Sequence, residues 1–227
     1  MTETSLTVIL DIDGTLVDSS YHHALAWHRA FRECGLTVPM WRIHRSIGMG
    51  GDRLVTEVTG EVVEEKMGDV LRTRWQEAYT EMHPEIEVLP GARELIEKLQ
   101  EQGHQVCVAS SGSKQDTDFA IDLLGVRQQV GTVITGDDAD SSKPAPDLLG
   151  VALRRSGGDA AVVVGDSVYD VEAASKLDLP CVTVRTGGFG QAELEAAGAV
   201  RVFDDLTAAL DLDWAALVSA SHRLGLA

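Results

Sequence analysis

Cysteines and long apolar runs are both scarce in this chain of 227 residues. The three cysteines, Cys34, Cys107 and Cys181, are odd in number and show no metal-binding spacing. Cys107 and Cys181 lie in strand-like runs, which favours buried, reduced thiols. No apolar run approaches the roughly 18 residues of a membrane-spanning helix. Residues 1–5 have neither the basic segment nor the apolar run of a signal peptide, so we expect a cytoplasmic protein.

Positive charge is also in short supply. The chain has 19 Lys and Arg residues against 36 Asp and Glu residues, which gives a net charge of −17. Such an acidic surface is unfavourable for binding nucleic acid or an anionic membrane, so we expect neither as a partner. It also repels anionic substrates at long range. A phosphate-binding site in this chain would therefore need its own local positive charge.

A chain of 227 residues can bury one core and a small second domain, and a hydrophobic share of 44% is ordinary for a globular protein. From Pro90 onward, predicted helices and strands alternate, which is typical of a doubly wound, Rossmann-like α/β fold with a parallel sheet. The first strand, residues 6–10, belongs to the same sheet, and only helical patterns separate it from Pro90. These predicted helices include residues 19–35, 52–58, 62–71 and 72–82. We therefore predict a core of residues 1–17 and 90–227 that carries an inserted α-helical cap, residues 18–89.

Two carboxylates follow the first strand directly. Asp11 and Asp13 are two residues apart, so the alternation along a strand can turn both of them toward one site. Gly14 and Thr15 then turn the chain away, which leaves the acids at the carboxyl end of the strand, where open α/β sheets bind ligands. Like charges this close repel each other unless a cation or a proton lies between them. An acidic strand end in an ordinary turn is the alternative.

Three further segments carry polar residues after strand-like or proline-rich stretches. Residues 106–109 are strand-like and lead into Ser110-Ser111-Gly112-Ser113. A Lys-Pro-Ala-Pro-Asp segment occupies residues 143–147, and a last strand ends in Asp166, four residues before Asp170. With the first segment, these resemble the four motifs of the haloacid dehalogenase superfamily of phosphatases and phosphotransferases. The helical insertion directly after the first motif is similar to the C1-type cap of the phosphoglycolate phosphatase and β-phosphoglucomutase-like group.

The resemblance implies roles for the acidic residues. Asp11 would be the nucleophile that becomes an aspartyl phosphate, and Asp13 would be the general acid and base. Dehalogenases lack an acid at the position of Asp13, so its presence favours phosphate chemistry over carbon–halogen cleavage. Asp11, Asp166 and the backbone carbonyl of Asp13 would bind Mg²⁺, a cation that prefers such hard oxygen ligands. Asp170 would support this site, although an Asp at a helix N-terminus can also be a simple cap.

The resemblance also implies a phosphate-binding set. Ser110, the backbone N–H groups of Ser111 and Gly112, and Lys143 would hold the transferring phosphoryl group. Lys143 would supply the local positive charge that an acidic protein requires. Ser111 and Ser113 can equally be helix caps, since Ser110 alone matches the family position.

The sequence of the predicted cap indicates fewer functional residues than the four motifs of the core do. His23 matches a substrate-side histidine of β-phosphoglucomutase-like proteins, but a packing histidine on a helix face is the alternative. The loop of residues 45–51, which contains Gly48, Gly50 and Gly51, resembles the cap loop that reaches over the site. In sugar phosphomutases, an arginine that binds the second phosphate follows the loop glycine by a few residues. The nearest matching position in this chain is Gly51, and Arg53 lies two residues further on. That departure disfavours a mutase, and Arg45 and Arg53 are candidates either for contacting substrate or for solvated surface.

From these residues we predict a monomeric, Mg²⁺-dependent phosphatase that hydrolyses a small phosphorylated metabolite, such as a sugar phosphate or a phosphoglycolate-like compound. A phosphomutase of the β-phosphoglucomutase type is the first alternative, and several cationic cap side chains facing the site would favour it. The alternative from another class is a receiver-like signalling module phosphorylated on Asp11. An inserted cap has no purpose there, and Asp13 would speed the loss of the phosphoryl group.

Overall fold

The structure is a computed structural model that describes residues 6–138, 142–157 and 160–218. Its strands are β1 (Thr7–Leu10), β2 (Gln105–Ala109), β3 (Thr132–Ile134), β4 (Ala161–Gly165), β5 (Cys181–Val184) and β6 (Arg201–Phe203). Its α-helices are α1 (Ser20–Glu33), α2 (Met40–His44), α3 (Gly51–Thr59), α4 (Glu61–Met82), α5 (Ala92–Glu101), α6 (Lys114–Leu124), α7 (Asp147–Ser156), α8 (Val168–Ser175) and α9 (Gln191–Ala197). Short 3₁₀ turns occur at His83–Glu85, Gly136–Asp138, Arg185–Gly187 and Leu206–Ala209.

The strands form one parallel sheet in the order β3-β2-β1-β4-β5-β6. All residues of β1 and β4 are buried, as expected of a parallel sheet with helices on both faces. Leu10 of β1 pairs with Val108 of β2 and with Val164 of β4, so these strands end close together. The strand order reverses between β1 and β4, and the crevice at such a point is where open sheets bind ligands.

Apolar clusters lie on both faces of the sheet. Val8 and Leu10 of β1 pack in one cluster with residues of α5 and α6, whereas Ile9 packs in the other with residues of α7 and α8. Because alternate residues of a strand face opposite sides, the sheet separates the two clusters. The predicted doubly wound α/β core is therefore confirmed. Cys107 and Cys181 are buried free thiols, as predicted, and burial raises the pKa of both.

Helices α1 to α4 form the insertion between β1 and α5, with an apolar cluster of their own around Trp27, Phe31 and Leu54. The predicted break between residues 71 and 72 is wrong, since α4 runs unbroken from Glu61 to Met82. Neither glycine nor proline occurs in α4 after Gly68, so nothing stops the helix there. Arg72, on the far side of that predicted break, forms ion pairs back to Glu64 and Asp69.

The two segments that join the insertion to the core run side by side. The backbone N–H of Asp18 donates to the carbonyl of Glu87 at 2.8 Å, and that of Leu89 donates to the carbonyl of Leu16 at 3.0 Å. These bonds tie the entry and the exit of the insertion together, close to the predicted domain limits. The domain limits of 18 and 89 stay a prediction, and the outer ends of the predicted core, residues 1–5 and 219–227, lie outside the described residues.

Within the described part of the chain, no helix combines the length and the apolar character that crossing a membrane requires.

Candidate active site

A buried ion pair forms the base of the site. Asp11 follows β1, and the Nζ of Lys143 donates to its Oδ1 at 2.5 Å. The same Nζ lies 2.7 Å from Oδ1 of Asp170 in α8. Lys143 is only 2% exposed, and burial alone would lower its pKa, but the two carboxylates outweigh burial and hold the pKa of Lys143 well above its usual range. The lysine is therefore charged, which supplies the local positive charge predicted from the acidic composition.

Three buried carboxylates meet beside this lysine. Oxygen atoms of Asp11, Asp166 and Asp170 lie within 4.8 Å of one another. Burial, together with repulsion among these carboxylates, raises the pKa of Asp11 from 3.8 to about 7 and that of Asp166 well above its usual value. Oδ1 of Asp166 is buried and has no hydrogen-bond partner among the described residues. Three carboxylates against one ammonium, with an orphaned oxygen among them, fit a hard divalent cation.

The local sequence explains how Asp166 and Asp170 reach this point. Asp166 follows β4 directly and lies one position beyond the level of Asp11, because Leu10 of β1 pairs with Val164 of β4. Asp170 is the third residue of α8 and forms a capping box with Ser167, whose backbone N–H and hydroxyl both donate to Asp170 Oδ2. The cap interpretation of Asp170 therefore holds for one oxygen, while the other oxygen faces Lys143, and its support of a metal site stays a prediction. Gly14 must stay small, since a side chain there would collide with the carboxylate of Asp166.

Asp13 is held by residues on the insertion side. Its Oδ1 accepts hydrogen bonds from the Ser19 hydroxyl at 2.5 Å and from Nε2 of His23 at 2.9 Å. Burial tends to raise the pKa of Asp13, but these two neighbours outweigh burial and hold it below its usual value. The His23 ring is buried and stacks on Tyr79, with ring centroids 3.9 Å apart. His23 therefore packs on the helix face and also contacts Asp13, and a contact of His23 with substrate stays a prediction.

The serine-rich loop after β2 takes the predicted position. Ser110 is buried at the end of β2, and the backbone N–H of Gly112 donates to its hydroxyl at 3.0 Å. Ser113 is the N-cap of α6 and accepts a hydrogen bond from the backbone N–H of Asp116. The cap interpretation thus holds for Ser113 but has no support for Ser111, whose Oγ is buried without a partner among the described residues.

Two cavities adjoin these residues. The inner cavity has a volume of about 60 Å³ and is lined by Asp11, Asp13, His23, Trp27, Ile47–Gly51, Trp75, Ser111 and Gly112. The outer cavity has a volume of about 740 Å³ and is lined by Gly51, Arg72, Thr73, Trp75–Glu77, Thr80, Glu81 and Ser111–Ser113. They share a wall of Gly51, Trp75, Ser111 and Gly112. The glycine loop of the insertion thus covers the site, as the resemblance implies.

The structure places Arg45 away from both cavity walls. Its guanidinium pairs with Glu193 of α9 and lies 4.3 Å from the centroid of the Phe189 ring. Its carbonyl accepts a hydrogen bond from the Tyr169 hydroxyl at 2.7 Å. In this structure Arg45 therefore joins the insertion to the core, which an opposite charge on α9 explains, and a contact of Arg45 with substrate stays a prediction. Arg53 is exposed on α3 and lines neither cavity.

Sequence reasoning missed several residues at the site, among them the following four. Ser19 donates to Asp13, Tyr79 stacks on His23, Trp75 lines both cavities, and Gln76 lines the outer one. The spacing of Trp75 and Tyr79, four residues apart on one helix face, indicates a packed aromatic face. That spacing does not reveal that this face of α4 lies across the site.

An enzyme that transfers phosphoryl groups needs a nucleophile, a source of positive charge and a proton donor. This edge of the sheet brings candidates for all three together. Residues 8–184 match the family of haloacid dehalogenase-like hydrolases, which is more than half of the chain. The chain therefore belongs to that family.

Comparison with individual proteins shows which members of this family the chain is similar to. A crystal structure of a hydrolase from Pseudomonas syringae is 32% identical, covers 99% of this chain and 100% of its own, and superposes with a TM-score of 0.84. A phosphoglycolate phosphatase from Pseudomonas putida is 28% identical over 89% of this chain and 78% of its own length. A proposed β-phosphoglucomutase from Bacteroides vulgatus, 22% identical over 96% of this chain and 90% of its own, shares the fold with a TM-score of 0.81. The chain is a phosphoric monoester hydrolase of the group that contains such proteins.

Proposed function

We propose that this protein is a monomeric, Mg²⁺-dependent phosphatase that hydrolyses a small phosphorylated metabolite through an aspartyl phosphate on Asp11. The observation that carries the proposal is the setting of Asp11. Its carboxylate lines the inner cavity, is paired with Lys143, and lies beside Asp13, which can exchange protons. The phosphoglycolate phosphatase from Pseudomonas putida acts on a small phosphorylated metabolite, which supports the same substrate class here.

The residues that would hold Mg²⁺ are Asp11, Asp166 and the backbone carbonyl of Asp13, with Asp170 in support. The mutual proximity of the three carboxylates and the orphaned Oδ1 of Asp166 support this assignment. When bound, the cation would neutralise negative charge on the phosphate and on Asp11. Lys143 would add to that neutralisation from its ion pairs with Asp11 and Asp170.

In the first step, a carboxylate oxygen of Asp11 attacks phosphorus, and the bond from phosphorus to the leaving oxygen breaks. Asp13 gives its proton to the leaving alcohol. The bonds from Ser19 and His23 stabilise the ionised form of Asp13, so Asp13 must gain a proton before this step. A phosphate dianion arriving in the inner cavity would favour that protonation, because a nearby negative charge raises the pKa of a carboxyl group.

In the second step, water attacks phosphorus, and the ionised Asp13 takes a proton from that water. The bond from phosphorus to the Asp11 oxygen breaks, which releases inorganic phosphate and regenerates the carboxylate. The hydrogen bonds to Asp13 suit this half of the reaction, because they favour the base form. Ser110 and the backbone N–H groups of Ser111 and Gly112 would hold the phosphoryl oxygens in both steps.

The alternatives have less support. A β-phosphoglucomutase-type enzyme must bind a second phosphate, yet Arg72 is the one Lys or Arg side chain that lines either cavity within the described residues. Arg72 is already paired with Glu64 and Asp69. A receiver-like module has no need for the helical insertion, and the chain belongs to a hydrolase family. Hydrolysis is therefore the function that the geometry supports best.

The test is phosphate release from a panel of phosphorylated sugars, phosphoglycolate and nucleotides, measured with MgCl₂ and with EDTA. Asp11→Asn is the matched variant, because it keeps the side-chain volume and removes the nucleophile. Circular dichroism would check that the variant folds. Metal-dependent release that disappears in Asp11→Asn is expected, whereas release that survives the substitution would contradict the proposal.

A further inference from the structure

The outer cavity is where a leaving group would extend. The inner cavity, about 60 Å³, has room for the reacting phosphoryl group and little more. The outer cavity, about 740 Å³, begins at the wall that the two share. A volume in the range of about 300–1,000 Å³ is typical of sites for whole small molecules. An ester whose phosphate lies beside Asp11 therefore has its alcohol part in the outer cavity, an inference that rests on the proposed function.

The charges around the outer cavity are unfavourable for an anion. Arg72 is the one cationic side chain in its described lining, and carboxylates of Glu64 and Asp69 lie 2.8 Å from its guanidinium. Glu77 and Glu81 add two carboxylates to the lining, and Glu77 is paired with Arg74 at 2.8 Å. Four carboxylates at or next to the lining thus face two guanidinium groups. A carboxylate or a second phosphate on the leaving group would meet this surplus of negative charge without a free cation to balance it.

The shared wall offers neutral hydrogen-bonding groups instead. The Nε1–H of Trp75 and the Oγ of Ser111 are buried, and neither has a partner among the described residues. Trp75 is held in place by stacking on Trp27, at 5.2 Å between ring centroids, and on Tyr79, at 5.8 Å. Buried polar groups normally have partners, so these two indicate a ligand that supplies them. A hydroxyl group can accept from the indole N–H and exchange a hydrogen bond with the serine.

We propose that the substrate carries one phosphate on an uncharged, hydroxyl-rich leaving group of sugar or polyol size. That group lies in the outer cavity and forms hydrogen bonds with Trp75 Nε1–H and Ser111 Oγ. The site thereby selects against phosphoglycolate, sugar acids and bisphosphates.

The first test compares kcat/KM within pairs of esters that differ by one charged group. The pairs are 2-hydroxyethyl phosphate and phosphoglycolate, glucose 6-phosphate and 6-phosphogluconate, and fructose 6-phosphate and fructose 1,6-bisphosphate. We expect the neutral member of each pair to be preferred by about tenfold or more. Turnover that depends on Asp11 but favours the charged members would overturn this inference alone. If no ester shows turnover that depends on Asp11, the proposed function fails and this inference falls with it.

The second test removes one hydrogen bond. Trp75→Phe keeps an aromatic ring but lacks the Nε1–H, and acetyl phosphate is a reference substrate too short to reach far into the outer cavity. The ratio of kcat/KM for the best neutral ester to that for acetyl phosphate should fall about five- to tenfold in Trp75→Phe. Val70→Ala, an exposed position of the same helix outside both linings, is the control and should leave the ratio unchanged. An unchanged ratio in Trp75→Phe would overturn the assignment of that hydrogen bond.

Discussion

Asp11 should make the stability of the metal-free protein fall as pH rises. The pKa of Asp11 is raised from 3.8 to about 7, chiefly by burial and by the neighbouring carboxylates. Between those two values the folded protein binds more protons than the unfolded chain, so the free energy of unfolding decreases with pH. A difference of roughly 3 units at about 1.36 kcal/mol each corresponds to about 4 kcal/mol. This penalty is absent below the unfolded pKa and complete above the folded one.

The measurement is urea unfolding in EDTA at about pH 5 and about pH 8, on the wild type and on Asp11→Asn. Roughly 2 of the 3 units lie above pH 5, so the wild type should lose about 3 kcal/mol relative to the variant over this interval. The comparison with the variant cancels the pH dependence of carboxylates elsewhere, such as Asp138, whose pKa is lowered chiefly by a hydrogen bond from the Thr135 backbone N–H.

MgCl₂ should reverse the loss. A cation that binds the ionised carboxylates stabilises the folded state by mass action, and it competes with the protons that these groups take up at low pH. The increase in unfolding free energy on adding MgCl₂ should therefore be larger at about pH 8 than at about pH 5. The reasoning would be refuted by a wild-type stability in EDTA that stays level with, or gains on, that of Asp11→Asn as pH rises.

Three further substitutions test the site. Lys143→Met should lower the free energy of unfolding by about 3–5 kcal/mol and abolish phosphate release, because Asp11 and Asp170 lose their buried cation. An unchanged free energy of unfolding in urea would contradict the buried ion pair. His23→Asn should move the acidic limb of the pH–kcat profile to higher pH, because Asp13 loses a bond that lowers its pKa, and an unmoved limb would argue against the contact. Arg45→Ala should change the free energy of unfolding by less than about 1 kcal/mol, since the Arg45 and Glu193 side chains are 38% and 41% exposed. A larger loss in urea unfolding would show that this ion pair stabilises the fold more than an exposed pair should.

Part of the candidate site follows from local sequence signals. Asp11 and Asp166 each follow a buried, β-branched run, and parallel strands of one sheet end at the same edge. Lys143 was predicted through its proline-rich segment and the family resemblance. The structure brings its ammonium to Asp11, as a compensating charge near the carboxylates requires. Asp11 and Asp166 were predictable because the fold class determines where strand ends meet, whereas Lys143 follows no strand and required the resemblance.

The insertion was predictable as helical but not in its contacts. Part of α4 faces the core and part faces the other helices, so Trp75 packs against both clusters and no single apolar stripe indicates its orientation. Arg45 lies beside a glycine loop that does cover the site, yet an acidic residue of α9, 148 positions away, binds its guanidinium. Such contacts depend on how the insertion packs against the core. The spacing of residues along the chain does not predict that packing.

The hydrogen bonds of Asp13 link the position of the insertion to the protonation of the proposed acid/base residue. Both donors to its carboxylate come from the segment that leaves the core: Ser19 immediately precedes α1, and His23 lies in its first turn. His23 is held in turn by Tyr79 near the end of α4, the helix that returns to the core. A shift of the insertion would therefore lengthen the bond that most strongly lowers the pKa of Asp13. The protonation of the acid/base residue would then differ between the arrangement seen here and a more open one, so that substrate exchange and proton transfer depend on the same helices.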